Sequence, residues 1–238
     1  MSKKHTFVDE NEYRKNPPKT LDEHLFYGLM LDESQKKFRD AIWNPEKLIV
    51  FANCKAGTGK STIAVATANL LVEYGLYKGI VYITAPTQEQ KLGYLPGSIE
   101  DKTEPYFEPL YEALVKLNLN PFNIVNQTSI MLQKTGNGYI DALTHVYLRG
   151  CNLENKVIIL DEAQNLYFDE MKKVLTRIHD NCKVIVIGHC GQIDLYHNPE
   201  RSGFAKYINW FKDDPRTEVC ELNKNYRGWI STHADDLE

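Results

Sequence analysis

No stretch of this chain approaches the ~18 consecutive apolar residues that a membrane-crossing helix needs, so no membrane partner is expected. Cysteine is scarce too. The five present are an odd number and none stands in a C-x-x-C pair, which excludes a disulfide framework and the usual paired zinc ligands. An excess of positive charge is also missing: 28 Lys and Arg face 32 Asp and Glu, a formal net charge of −4. No global basic field points to a polynucleotide, and any such contact has to use a local patch. There are no repeats or low-complexity tracts. Residues 1–19 are polar and lack the apolar centre of a secretory signal, so they read as a flexible arm ahead of one domain, 20–238. With 238 residues the chain can bury one sizeable core. A reduced, cytoplasmic protein is the expectation.

What is present is concentrated in residues 48–62. Leu48, Ile49, Val50 and Phe51 predict a buried strand, and Ala56, Gly57, Thr58, Gly59, Lys60, Ser61 and Thr62 follow as a turn into a helix. A phosphate-binding loop needs inward backbone N–H groups, small residues that let phosphates approach, a Lys for the β- and γ-phosphates and a hydroxyl for Mg2+. This stretch supplies each of them. It departs from G-x-x-x-x-G-K-[ST] at one position, because Cys54 stands where the first glycine would be.

A second motif supports the first. Val157, Ile158, Ile159 and Leu160 describe a strand buried on both faces, and Asp161 and Glu162 follow at its carboxyl end, where open α/β sheets bind ligands. Asp161 and Ser61 are the candidate Mg2+ residues, and Glu162 the candidate for orienting or deprotonating an attacking water.

Other elements are read from periodicity. Residues 31–42 predict a helix with Asp32 as its cap; Gln35, in its first turns, can read an adenine edge with its amide or serve as a solvated helix residue. Strands are expected at 79–85, 139–147, 183–188 and 218–222, and helices at 110–117, 205–212 and 229–237. A further helix carries Phe168, Met171, Val174, Leu175 and Ile178. Residues 120–138 are the least readable. Gln192, just past the strand that follows Asp161 and Glu162, is placed for contact with a γ-phosphate.

These blocks carry a resemblance. The loop from Ala56 to Ser61, the run Ala85, Pro86, Thr87, the segment from Lys91 to Gly97, Pro105 through Leu114, Leu148-Arg149-Gly150, and Gln192 to Leu195 resemble, in this order, PhoH-like P-loop ATPases of the short kind carried by phages. The resemblance implies a RecA-like α/β fold with a mostly parallel central sheet flanked by helices, related to superfamily 1 helicase cores. It implies that Gln35 reads adenine, that Gln192 senses the γ-phosphate, and that Arg227, within Asn225-Tyr226-Arg227, contacts the γ-phosphate. His189 departs from the family's Asp. The length suggests no nuclease, second RecA-like or RNA-binding domain.

The implied activity is hydrolysis of ATP with Mg2+. Lys60 and the loop amides, from Ala56 to Thr62, hold the phosphates; Ser61 and Asp161 hold Mg2+; Lys60, Glu162, Gln192 and Arg227 act in turnover. A homo-oligomer, up to a hexameric ring, is expected, with Arg149 or Arg227 as a finger toward a neighbour; Arg227 acting on its own nucleotide is the alternative. Two readings stay open: a helicase-like motor on RNA or single-stranded DNA, and a nucleotide-gated regulatory or assembly protein without translocation. A small-molecule kinase fits less well, because the two-carboxylate strand end suits water attack. If phage-encoded, the chain would work in the host cytoplasm.

Overall fold

The computed structural model describes residues 16–85, 104–128, 134–135, 138–148, 151–195 and 199–235. Helix α1 (Glu33–Trp43) precedes strand β1 (Ile49–Cys54) and the central helix α2 (Lys60–Glu73). Next come β2 (Ile80–Thr84), α3 (Glu108–Lys116), the single turn α4 (Pro121–Ile124), β3 (Val125–Thr128), β4 (Lys134–Thr135) and β5 (Ile140–Thr144). The chain then forms β6 (Val157–Asp161), α5 (Phe168–Leu175), β7 (Lys183–Gly188), α6 (Phe204–Phe211), β8 (Thr217–Leu222) and α7 (Trp229–Asp235).

The strands form one sheet in the order β4-β3-β5-β2-β6-β7-β1-β8. Seven of them run parallel, and β4 joins β3 antiparallel at the edge. Alternation along each central strand divides the core in two. Val50, Ala52, Ile159, Ile185 and Ile187 pack on the face covered by α1, α2 and α3, whereas Phe51, Ile158, Leu160, Val184 and Val186 pack beneath α5 and α6. Both faces are covered, so the strands read as unbroken apolar runs. Helix α2 is buried on almost every side because it lies between α1 and α3.

The predicted elements differ from the observed ones mainly at their ends. The strand expected over 139–147 stops at Thr144, and the chain turns as a 3-10 helix from His145 to Leu148. Ile178 leaves the helix that ends at Leu175 and forms an isolated bridge with Leu153 instead. Helix α1 begins at Glu33, where Asp32 caps it in a capping box with Gln35. No helix among the described residues is long and apolar enough to cross a membrane.

One consequence of the strand order positions the site. The loop-bearing strand β1 and the acidic strand β6 are not neighbours, because β7 pairs with both. Their carboxyl ends therefore face each other across the end of β7. Residues following β1, β6 and β7 share one rim of the sheet.

Candidate active site

The turn after β1 is built on two glycines in the left-handed region, Gly57 at φ 70 and Gly59 at φ 78. That backbone is one most L side chains avoid. Thr58 Oγ1 donates to Lys55 O at 3.0 Å inside the turn. Gly59 caps α2 without a side chain, so no side-chain oxygen takes up the first amides of a 14-residue helix, the arrangement that favours an anion. Ala56 lies in the loop, and Ser61 and Thr62 in the first turn of α2. Cys54 does not obstruct the loop. It is buried in the core beneath α1 and α2, where burial pushes its thiol up to about 12.

Across the rim, Asp161 is 1 % exposed and accepts hydrogen bonds at both oxygens. Oδ2 receives Ser61 Oγ at 2.8 Å and Tyr82 OH at 2.6 Å, and Oδ1 receives the Glu162 amide at 2.9 Å. Burial, with the adjacent Glu162 carboxylate, raises the Asp161 pKa despite Lys60, Tyr82 and Ser61. Glu162 itself sits at φ 53, an uncommon conformation for a residue with a Cβ. This twist turns its side chain toward the loop: Glu162 Oε1 is 3.2 Å from Lys60 Nζ. Burial works against the Lys60 ammonium, but Glu162 and Asp161 outweigh it and raise its pKa.

Gln164 ties this acidic end to the rest of the rim. Its Nε2 donates to Glu162 Oε2 at 2.6 Å, its Oε1 accepts the His189 amide at 3.2 Å, and its carbonyl accepts Ser202 Oγ at 2.7 Å. A Cβ on Gly188 would come within 2.9 Å of Gln164 Oε1, so the close approach needs glycine there. The loop after β7 is tethered on both flanks. Asn53 Oδ1 accepts the Cys190 amide at 3.0 Å and Asn165 Oδ1 accepts the Asp194 amide at 2.9 Å. Gln192 is exposed on this tethered turn.

Gln35 and Arg227 reach the loop from two other elements. Gln35 is 7 % exposed; its Nε2 donates to Thr58 O at 2.9 Å and its Oε1 accepts the Asp32 amide at 3.0 Å. The segment after β8 lies directly on Gly57, with the Tyr226 amide donating to Gly57 O at 2.9 Å. A Cβ on Gly57 would collide with Asn225 Oδ1 and stand 3.0 Å from Arg227 Cγ. Arg227 is thus set beside the P-loop of its own chain. Arg149, like Pro86, Thr87 and the segment from Lys91 to Gly97, lies outside the described residues.

The candidate site residues among the described ones therefore gather at one rim of the sheet. The sequence alone assigns no site role to Tyr82, Gln164 or Asn225, and gives Asp32 only the capping of α1. Tyr82 had one signal, a lone hydroxyl in the otherwise aliphatic run Ile80, Val81, Ile83; the others depend on contacts between distant segments.

The donors suit a nucleotide with Mg2+. Ser61 and Asp161 offer hard oxygen ligands 2.8 Å apart. Among the described residues no three His, Cys, Asp or Glu side chains gather as a metal cage. Mg2+ is commonly bound by one or two protein oxygens with substrate phosphates completing the shell.

Comparison with known proteins agrees with this geometry. The PhoH-like protein family matches residues 30–227. Protein PhoH2 of Bacillus subtilis (strain 168) is 35% identical over 221 residues, covering 91% of this chain and 49% of its own length. Protein PhoH of Escherichia coli (strain K12) is 33% identical over 201 residues, 82% of this chain and 53% of its own. The chain spans about half the length of these relatives. Among solved structures, the HK97 bacteriophage large terminase superposes with a TM-score of 0.54 at 16% identity, covering 87% of this chain and 42% of that one. The UvsW helicase of bacteriophage T4 superposes at 0.53 with 13% identity, covering 90% and 72%. A loop lysine and serine facing two carboxylates across β7, on a fold shared with the HK97 large terminase and the UvsW helicase, accord with the match over residues 30–227: the chain belongs to the PhoH-like protein family.

Proposed function

We propose that this chain binds ATP with Mg2+ and hydrolyses it. The observation that carries the reading is the double pairing across β7, Lys60 with Glu162 and Ser61 with Asp161. An anion-binding ammonium and a cation-binding hydroxyl–carboxylate pair converge on the mouth of the phosphate loop. Lys60 and the amides of the loop from Ala56 to Thr62 hold the phosphates. Ser61 and Asp161 hold Mg2+, which when bound neutralises charge on the phosphates. Glu162 orients or deprotonates the attacking water, with Gln164 holding the carboxylate by its second oxygen. Gln192 on the tethered β7 loop and Arg227 beside Gly57 are assigned to the γ-phosphate.

The proposal extends to coupling. UvsW is a helicase and the HK97 protein a large terminase, and we assign this chain RNA or single-stranded DNA as the partner that its ATPase serves. Assembly into a homo-oligomer, a hexameric ring in its closed form, belongs to the same reading. The test is hydrolysis of ATP with and without Mg2+, RNA and single-stranded DNA, by the wild type and Lys60→Ala. Mg2+-dependent turnover lost in the variant and raised by a polynucleotide supports the ATPase and its coupling, and sedimentation of the wild type with ATP tests the assembly. Turnover indifferent to every polynucleotide supports instead nucleotide-gated regulation without translocation, and equal turnover by Lys60→Ala removes the site assignment.

A further inference from the structure

Two consecutive carbonyls of the phosphate loop are held from outside by different parts of the chain. Gly57 O accepts the Tyr226 amide at 2.9 Å, and Thr58 O accepts Gln35 Nε2 at 2.9 Å. The two holders are themselves joined, because Tyr226 OH donates to Asp32 Oδ2 at 2.7 Å while Asp32 Oδ1 receives the Gln35 amide at 2.8 Å. The Asp32 amide returns a bond to Gln35 Oε1 at 3.0 Å. The result is a closed ring: Gly57, Thr58, Gln35, Asp32, Tyr226 and back to Gly57. It spans 194 residues of sequence at the Tyr226–Asp32 bond.

The consequence follows from peptide geometry. No peptide bond among the described residues is cis, and in a trans peptide the C=O and the next N–H point in opposite directions. Fixing Gly57 O toward Tyr226 turns the Thr58 N–H away from the segment after β8, and fixing Thr58 O toward Gln35 turns the Gly59 N–H away from α1. These are two of the amides that a phosphate loop offers its anion. Held in advance, they need not be ordered at the moment of binding, which is how preorganisation raises affinity.

Resting on the ATP-binding reading above, we propose that Gln35 and Tyr226 are positioning residues of the phosphate loop, joined through Asp32, and that Gln35 acts on the triphosphate through Thr58 rather than on the base. Each end of the Gln35 carboxamide is held by protein backbone, Oε1 by the Asp32 amide and Nε2 by Thr58 O, which fixes the side chain, 7 % exposed, against the phosphate loop. Tyr226 contributes through its amide and its hydroxyl, and the hydroxyl can be removed alone.

The test compares two probes, ATP and inorganic tripolyphosphate, each with Mg2+, on the full chain by calorimetry. Gln35→Met removes both the donor to Thr58 and the acceptor of the Asp32 amide while keeping side-chain length, and Tyr226→Phe removes the bond to Asp32 while keeping the ring. The expected result is that each variant weakens ATP and tripolyphosphate by the same factor, about fivefold in Tyr226→Phe, which loses one hydrogen bond, and at least about fivefold in Gln35→Met, which loses two. The ratio of ATP to GTP affinity should stay at its wild-type value. A purely structural loss would lower the melting temperature and leave the affinity of the folded protein unchanged, which overturns the proposal. So does a Gln35→Met variant that loses ATP affinity, keeps tripolyphosphate affinity and relaxes the ATP to GTP ratio, since that is a base reader. A wild type that binds neither probe overturns the ATP-binding reading itself, and this proposal with it.

Discussion

Lys60 Nζ stands 3.2 Å from Glu162 Oε1, so the ammonium of the phosphate loop is matched by the carboxylate assigned to water activation. The ion pair has to open before Lys60 can serve a phosphate. Glu162 does not swing freely when it does, because Gln164 holds its other oxygen at 2.6 Å and its backbone is fixed at φ 53. The carboxylate released by Lys60 is thus still anchored from β6's side of the rim, where an attacking water would have to be oriented.

Glu162→Gln should therefore do two opposite things. Removing the charge frees Lys60 and lessens repulsion of the triphosphate, so ATP affinity should rise a few-fold, while loss of the base should lower turnover by about 10²-fold or more. Binding by calorimetry and single-turnover hydrolysis measure the two effects separately. Turnover at the wild-type rate would move the water-activating role to another residue.

Asp161→Asn tests the second pairing. The amide keeps the size of a side chain that is 1 % exposed, but weakens its partnership with Ser61 and with a hard cation. The Mg2+ concentration for half-maximal hydrolysis should rise by about 10-fold or more. An unchanged Mg2+ requirement would remove Asp161 from the metal's surroundings.

Gly57→Ala should damage the loop through backbone and packing together. A residue with a Cβ is strained at φ 70, by about 1 kcal/mol, and this Cβ would collide with Asn225 Oδ1. The segment after β8 must then lift from the loop, breaking the Tyr226–Gly57 bond. Nucleotide affinity should fall at least about tenfold, with the melting temperature a few degrees lower. Adding Asn225→Ala relieves the collision but not the strain, so the double variant should recover only part of the loss. Full recovery would show that the collision alone matters.

The far end of the sheet offers a pH test. Lys183 is 1 % exposed and donates to the carbonyl of Asn44 at 2.6 Å and to that of Lys47, and burial brings its pKa down to about 8 from 10.5. The unfolded chain therefore binds more protons than the folded one between pH 8 and 10.5, and stability rises with pH across that window. Measured by urea unfolding, the stability of the wild type minus that of Lys183→Met should increase by up to roughly 3 kcal/mol between these limits. A flat difference would mean that the lysine stays charged in the fold.

How much of this could be read beforehand depends on how local each feature is. The loop from Ala56 to Thr62 and the strand ending at Asp161 are contiguous, and the unbroken apolar runs of β1, β6 and β7 make the strands legible. Position of the ends was harder: Ile178 keeps helical spacing but leaves α5, because its pairing with Leu153 is set by tertiary contact. Gln35 is a candidate from its place in the first helix, yet its bonds to Thr58 O and the Asp32 amide set it against the loop's backbone, a contact that a position in a helix does not reveal. Gln164 and Tyr226 act through bonds to His189, Ser202 and Asp32 that only the folded strand order brings together.

Arg227 carries the last prediction, and it concerns which nucleotide this guanidinium serves. Its amide is held by Asn225 Oδ1 at 2.8 Å, the preceding amide is held by Gly57 O, and its Cγ would lie 3.0 Å from a Cβ on Gly57. The root of the side chain is therefore fixed over its own loop, and the remaining atoms reach only a few ångströms further. A finger supplied to a neighbour would need that root to face outward from the subunit. Arg227→Ala should thus lower turnover by on the order of 10³-fold with a much smaller loss of ATP affinity, as expected of a group that meets charge developing on the γ-phosphoryl. Mixing Lys60→Ala with Arg227→Ala subunits then separates the two geometries. In one chain acting on its own nucleotide, every subunit of the mixture lacks either the loop lysine or the arginine, and activity stays at the sum of the two variants. Recovery well above that sum, under conditions where sedimentation shows mixed assemblies, would place the arginine across an interface and overturn the assignment within one chain.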